Sequence, residues 1–207
     1  MIRYPITLTK DLTNNIFKMA DMNSLPLPLN RTLFFAKDVN LESIEFLSKE
    51  ILKINEDDEH LEKLYSVYDI DYVRKPIRIM IDSYGGYVYQ CMGLLGIMEK
   101  SVTPVHTYAT GAAMSCGFMI LISGHKRFAY KHATPMYHQV STGFWGKTQD
   151  MEESYKETKR LQQKFENITL KSTKISKTKL KDILKTKQDW YMDTKEALSF
   201  GVIDEII

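Results

Sequence analysis

The chain has 207 residues, of which 43% are apolar and 26% charged, with a formal net charge of +2. That suits one globular domain with a sizeable core. The charge gives no bulk electrostatic case for nucleic acid or a membrane surface, and the apolar runs are far short of a bilayer span.

The start, M-I-R-Y-P-I-T-L-T-K-D, has no apolar h-region, so no signal peptide is expected. Residues 1–30, with Pro5, Pro26 and Pro28, read as an irregular arm ahead of a single domain over 31–207. T-L-F-F-A at 32–36 reads as a short buried strand. Ile44, Leu47, Ile51 and Ile54 predict a helix over 41–54. The acidic stretch N-E-D-D-E-H (55–60) breaks that pattern and reads as a solvated loop, with His60 on its surface. I-R-I-M-I (77–81) predicts a buried strand, D-S-Y-G-G a turn, and 88–100 a helix. V-H-T-Y-A (105–109) predicts a second strand, and the run after Ser115 a second apolar helix ending near Ser123-Gly124. Short strands follow at R-F-A-Y and P-M-Y-H. This alternation predicts an α/β fold with a parallel sheet. From 146 to 171, Met151, Tyr155, Leu161, Phe165 and Ile168 draw a narrow apolar stripe along one long helix. Leu180, Ile183 and Leu184 mark a shorter helix. Asp193 and Glu196 form a capping-box pattern for a last helix closed by Gly201, and V-I-D-E-I-I reads as a final strand.

Chemistry concentrates near T-G-A-A-M-S-C-G-F-M (110–119). Its one hydroxyl next to the helix start, Ser115, is either a helix cap or a nucleophile on a tight turn. A serine nucleophile needs a base, usually a histidine oriented by a carboxylate. A-M-S-C-G nearly matches the nucleophile elbow of α/β-hydrolases, whose chain order is Ser, acid, His. Residues 116–137 hold no Asp or Glu and no His follows His138, so that order is impossible. A Ser–His–Asp order stays open, with His125, His132 or His138 and a later acid. Gly85-Gly86 suits backbone donors for an oxyanion. S-T-G-F-W-G-K-T (141–148) only imitates a phosphate loop, since Ser141 stands at its first glycine and Phe144 and Trp145 would crowd the cradle. Cys91 and Cys116 have no metal-ligand spacing and predict no disulfide framework, which points to a reduced, intracellular compartment.

Four segments in order resemble the Clp-type serine peptidase family, the proteolytic subunits of the Clp protease. I-D-S-Y-G-G-Y-V (81–88) is similar to that family's I-N-S-P-G-G-x-V, and G-A-A-M-S-C-G (111–117) to its G-x-A-A-S-M-G. K-R-F-A (126–129) and M-Y-H-Q (136–139) resemble K-R-x-x and M-I-H-Q-P. D-W-Y-M-D-T-K-E-A-L-S-F-G-V-I-D (189–204) resembles the closing D-R-F-x-S-A-x-E-A-x-E-Y-G-L-I-D. The resemblance implies a crotonase-like ββα spiral with a protruding helical handle, here 146–171. It implies Ser115 as nucleophile, His138 as general base and Asp189 as the orienting carboxylate, with the backbone N–H groups of Gly86 and Cys116 as the oxyanion hole. It implies no cofactor and no metal. The substrate would be an unfolded polypeptide, cut in the cytoplasm inside two stacked heptameric rings of this chain and fed by an AAA+ unfoldase ATPase. The apolar stripe of the handle would then be the contact between rings. The sequence departs from the pattern at Tyr84 (usually proline), Met114 (usually alanine) and Gln188 (often an arginine that pairs with an acid matching Asp150). Residues 56–74 exceed the family's usual connection. A catalytically silent subunit of a mixed ring and a phage-type maturation peptidase share the same residues.

Overall fold

A computed structural model describes residues 30–143 and 145–207; the arm expected over 1–30 lies, but for Asn30, outside them. Strand β1 (Thr32–Phe35) lies parallel to β2 (Ile77–Ser83), and β2 lies parallel to β3 (Val105–Met114). On its other side β3 carries two short parallel strands in succession. They are β4 (Lys126–Ala129) beside 106–109 and β5 (Thr134–Tyr137) beside 112–114. The antiparallel β6 (Trp190–Tyr191) extends β5, and β7 (Glu205–Ile206) extends β4. The alternation in β2 explains its place: Ile77, Ile79 and Ile81 are wholly buried, while Arg78 and Asp82 face out.

Between the strands run α1 (Leu41–Ser66), α2 (Val88–Lys100) and α3 (Cys116–Ile122). Asn40 caps α1, its Oδ1 accepting from the Ser43 N–H at 2.9 Å, while Ser43 Oγ accepts from the Asn40 N–H at 3.1 Å. Every residue of α3 is buried, so this short helix is the centre of the core. After β5 come α4 (Thr148–Ser172), α5 (Lys177–Thr186) and α6 (Thr194–Ser199).

Three expectations are corrected. The 55–60 stretch is no loop: α1 runs through it to Ser66, with His60 exposed on the helix. Asp58 sits one turn beyond Ile54 and continues the inward stripe, wholly buried yet paired with Arg31 and hydrogen-bonded by Thr103 (2.6 Å) and Tyr72 (2.6 Å). A charged residue thus serves as a core position because it is fully partnered. The stripe of α4 is divided. Leu161, Phe165 and Thr169 are buried in the chain's own core, and only Met151 and Tyr155 remain exposed. Leu161 and Phe165 are therefore taken, and the inter-ring role expected of them fails. Of V-I-D-E-I-I only Glu205–Ile206 is strand. Val202 and Ile203 instead turn their N–H groups onto Ala197 O, completing the end of α6 after Gly201.

Candidate active site

Ser115 joins β3 to α3 at φ 53° and ψ −119°, a conformation few non-glycine residues adopt. Such strain persists only where the surroundings enforce it. Here the Ser115 N–H is tied to Met136 O at 3.0 Å, and its carbonyl accepts from the Met119 N–H at 3.1 Å. It occupies the cap position of α3, yet its hydroxyl makes no capping bond. The capping reading of this serine therefore fails, and the hydroxyl is left for other work.

The Gly85-Gly86 turn lies directly against it. A Cβ on Gly85 would stand 2.7 Å from Ser115 Cβ, and one on Gly86 would stand 2.3 Å from Val39 O. Both residues also have positive φ, 103° and 146°. Only glycine fits on both counts. The Val39 N–H donates to Gly85 O (2.7 Å), and the Val39 carbonyl takes the Tyr87 N–H (2.8 Å) rather than that of Gly86. The Cys116 N–H, in the first turn of α3, has no intrahelical acceptor. Among the described residues neither the Gly86 nor the Cys116 amide has a hydrogen-bond acceptor. The turn is braced from below by Asp82, whose Oδ1 accepts from the Ala112 N–H at 2.8 Å, and by Ser83 Oγ, which accepts from the Gly85 N–H at 3.2 Å.

His138 and Asp189 meet through strand register. In the antiparallel pair of β5 and β6, Met136 faces Tyr191 and Tyr137 faces Trp190. The next position outward sets His138 against Asp189, with Nδ1 3.7 Å from Oδ1. That is an ion-pair distance, longer than a hydrogen bond, as is common for such pairs in the absence of substrate. Asp189 is half-exposed and His138 largely covered. Because β5 also pairs with the end of β3, Met114 facing Met136, the same strand brings His138 to Ser115. Ser115, His138 and Gly86 line one side of a cavity of about 40 Å³ whose other walls include Met119, Val140 and Phe165. A larger groove of about 860 Å³, bordered by Met92, Lys126 and Lys171, contains none of these site residues. Volume is a poorer guide here than the convergence of a hydroxyl, an imidazole, a carboxylate and two free amides.

One further residue emerges that nothing in the linear pattern marks. Gln162, on α4, accepts the Val140 N–H at 2.8 Å and donates to Tyr137 Oη at 3.3 Å and to Glu166 at 3.1 Å. It thus clamps the segment on both sides of His138. Burial pushes the Tyr137 phenol up to about 12, so it stays protonated. The 141–148 stretch shows why it imitates a phosphate loop only in letters. Asp150 places a carboxylate at the first turn of α4, 3.2 Å from the Lys147 N–H, where a phosphate would have to sit. Among the described residues no cluster of three or more His, Cys, Asp or Glu could hold a metal, and no helix is long and apolar enough to cross a membrane.

Comparison with known proteins adds to this geometry. A family model described as Clp protease matches residues 34–207. The ATP-dependent Clp protease proteolytic subunit of Deinococcus radiodurans is 35% identical over 133 residues, 63% of this chain and 64% of that relative. The ATP-dependent Clp protease proteolytic subunit 2 of Chlamydia trachomatis is 33% identical over 135 residues, covering 64% and 66%. The matched region spans just under two thirds of the length of both relatives. Among solved structures, a point mutant of ClpP1 from Listeria monocytogenes superposes with a TM-score of 0.69 at 24% identity, over 86% of this chain and 91% of that one. That likeness bears on the fold, which is crotonase-like α/β.

Proposed function

The chain belongs to the Clp protease family, and from that premise we propose that it is a serine endopeptidase working through Ser115, His138 and Asp189. His138 takes the Ser115 proton as Oγ attacks a peptide carbonyl. The amides of Gly86 and Cys116 hold the resulting oxyanion. His138 then protonates the leaving amine, and water releases the acyl group by the reverse route. Asp189 holds the imidazole in the needed tautomer. Gly86 and Cys116 contribute backbone only, so the Cys116 thiol has no part in the reaction.

The observation that carries this reading is the strained, uncapped Ser115 facing the same cavity as His138. The substrate is an unfolded polypeptide, laid as an added strand beside the 86–88 segment. The relatives' names describe proteolytic subunits of an ATP-dependent protease. Carried to this chain, they support a proteolytic subunit of an ATP-dependent protease; the proposal places it in a cytoplasmic, self-assembled chamber of stacked heptameric rings supplied by a separate AAA+ unfoldase. The N-terminal half of α4 serves as the handle between rings. Labelling with a fluorophosphonate followed by peptide mapping tests the chemistry. Modification at Ser115, lost in His138→Ala, is the expected result; modification elsewhere, or none with an unfoldase present, refutes it.

A further inference from the structure

The two amides assigned to the oxyanion hole sit on different segments. Gly86 belongs to the turn between β2 and α2, and Cys116 opens α3. Glycine imposes few torsional limits, so hydrogen bonds must hold what sterics leave free at Gly85-Gly86. The Val39 N–H on Gly85 O (2.7 Å) fixes the peptide plane that carries the Gly86 N–H, and Val39 O takes the Tyr87 N–H (2.8 Å). Both bonds tie the turn to Val39, not to the serine segment. Among the described residues, one hydrogen bond joins the 85–87 turn to 115–117: Cys116 Sγ donates to Gly86 O at 3.3 Å. A carbonyl oxygen only accepts, so the thiol proton lies in that bond. Cys116 is itself held by the buried Cys91 of α2, whose Sγ donates to Cys116 O at 3.6 Å. Helix α2 grows out of the same turn, with the Cys91 N–H on Tyr87 O at 3.1 Å. The bonds therefore close a loop from the turn through α2 to α3 and back.

We propose that the Cys116 thiol is a positioning residue of the oxyanion hole: its bond to Gly86 O sets the spacing between the Gly86 and Cys116 amides. The proposal rests on the peptidase reading for its effect on rate, not for the bond itself. The thiol stays out of every bond-making and bond-breaking step and acts only through the Gly86 carbonyl. Two departures from the family pattern meet here. Cys116 stands where the pattern has methionine, whose thioether has no proton to donate. Tyr84 stands where the pattern has proline, which would pre-set the turn. A turn without its proline thus has a tether that methionine does not supply. Oxyanion stabilisation depends on donors already in place, and misplacement on the scale of 1 Å costs on the order of a hundredfold in rate. Loss of this one tether, with the Val39 bonds kept, costs less than that.

The test uses variants of the full chain. Cys116→Ala removes the donor and should lower both kcat for a peptide substrate and the rate of fluorophosphonate labelling at Ser115 by about tenfold, with KM little changed. Cys116→Ser, whose hydroxyl donates from the same place, should recover most of the loss. Should Cys116→Ala misfold, Cys116→Val supplies a side chain of similar size with no donor. Affinity for a peptide aldehyde, which forms a tetrahedral adduct on Ser115, should fall in step with kcat. A merely structural role would lower the melting temperature and leave that affinity unchanged. Wild-type kcat without the donor, or an equal loss in Cys116→Ser, would overturn the positioning role. The bond itself is read by infrared spectroscopy of Cys91→Ser, in which Cys116 carries the only thiol. Its S–H band should lie below that of a free thiol, and a band at the free position would overturn the contact. If wild-type Ser115 is never labelled, the peptidase reading fails and takes the rate effect with it, while the S–H band still decides the bond.

Discussion

Ser115, Gly86 and Asp58 each show how a single residue is defined by its surroundings. Ser115→Ala should lower peptide cleavage by about a thousandfold or more while leaving the melting temperature unchanged or raised, because loss of the hydroxyl costs no hydrogen bond in the resting chain. Asp189→Asn should cut the rate by about a hundredfold or more with the fold intact, since the carboxylate is half-exposed. Gly86→Ala drives a methyl into Val39 O and should abolish labelling of Ser115 while destabilising the chain by about 2 kcal/mol or more; wild-type labelling would remove Gly86 from the site. Asp58 is a titratable core residue. Burial would raise its pKa, but hydrogen bonds from Arg31, Thr103 and Tyr72 outweigh burial and take it down to about 2. Its folded pKa lies below the unfolded value near 3.8. The linked stability, of order 2 kcal/mol, is therefore present above about pH 4 and lost as pH falls toward 2. Thermal melts of wild type and Asp58→Asn should show the variant less stable at pH 6 and the gap narrowing by pH 3; parallel curves would refute the linkage.

At the level of elements, the site depends on how β5 is held. It borders β3 on one side and β6 on the other, so one four-residue strand aligns nucleophile, base and acid. Two further contacts fix its exit. Gln162 bonds Val140 and Tyr137, and Trp190 of β6 donates to Glu196 Oε1 at 3.0 Å. The last contact also explains why the capping box at Asp193 is half made. Asp193 Oδ1 accepts the Glu196 N–H at 2.8 Å, but the Glu196 carboxylate is drawn to the indole instead. Gln162→Ala should lower kcat several-fold to tenfold with little change in KM, since it frees the His138 segment and leaves the cavity walls in place. A fall in melting temperature with unchanged kcat would make Gln162 a purely structural clamp.

For the whole molecule, the two halves of α4 differ in burial. Phe165 and Thr169 seal the core beneath α3, while Met151 and Tyr155 are left uncovered. Met151→Asp with Tyr155→Asp should separate stacked rings in a sedimentation experiment and leave each subunit folded. Leu161→Asp with Phe165→Asp should instead unfold the subunit, each buried carboxylate costing several kcal/mol. An unaltered particle with the first pair would refute the ring contact. Asp150, the acid that an arginine at 188 would meet across the rings in much of the family, here accepts from the Lys147 N–H, and position 188 is glutamine. In the proposed assembly, contact between rings would therefore rest on the apolar pair rather than on an ion pair.

Much of the fold was legible in the linear chain because its signals are local. Period-two burial in β2, the i, i+3, i+4 spacing of Ile44, Leu47, Ile51 and Ile54, and the glycines around Ser115 all reflect backbone geometry within a few residues. The α/β class and the sites singled out along the chain follow from such patterns and from the family resemblance they carry. What needed the tertiary structure was anything decided by a distant partner. Asp58 is a core residue only because Arg31, Thr103 and Tyr72 reach it from elsewhere in the chain. Leu161 and Phe165 are buried while Met151 and Tyr155 are not, though all four lie on one stripe, and the contact of α4 with α3, Thr169 Oγ1 to Met119 Sδ, falls in the C-terminal half of α4. The meeting of Cys91 with Cys116, and of His138 with Asp189 across 51 positions, is set by helix packing and strand register. Neither leaves a periodic trace in sequence, since the free energy that fixes it comes from the partner and not from the residue itself.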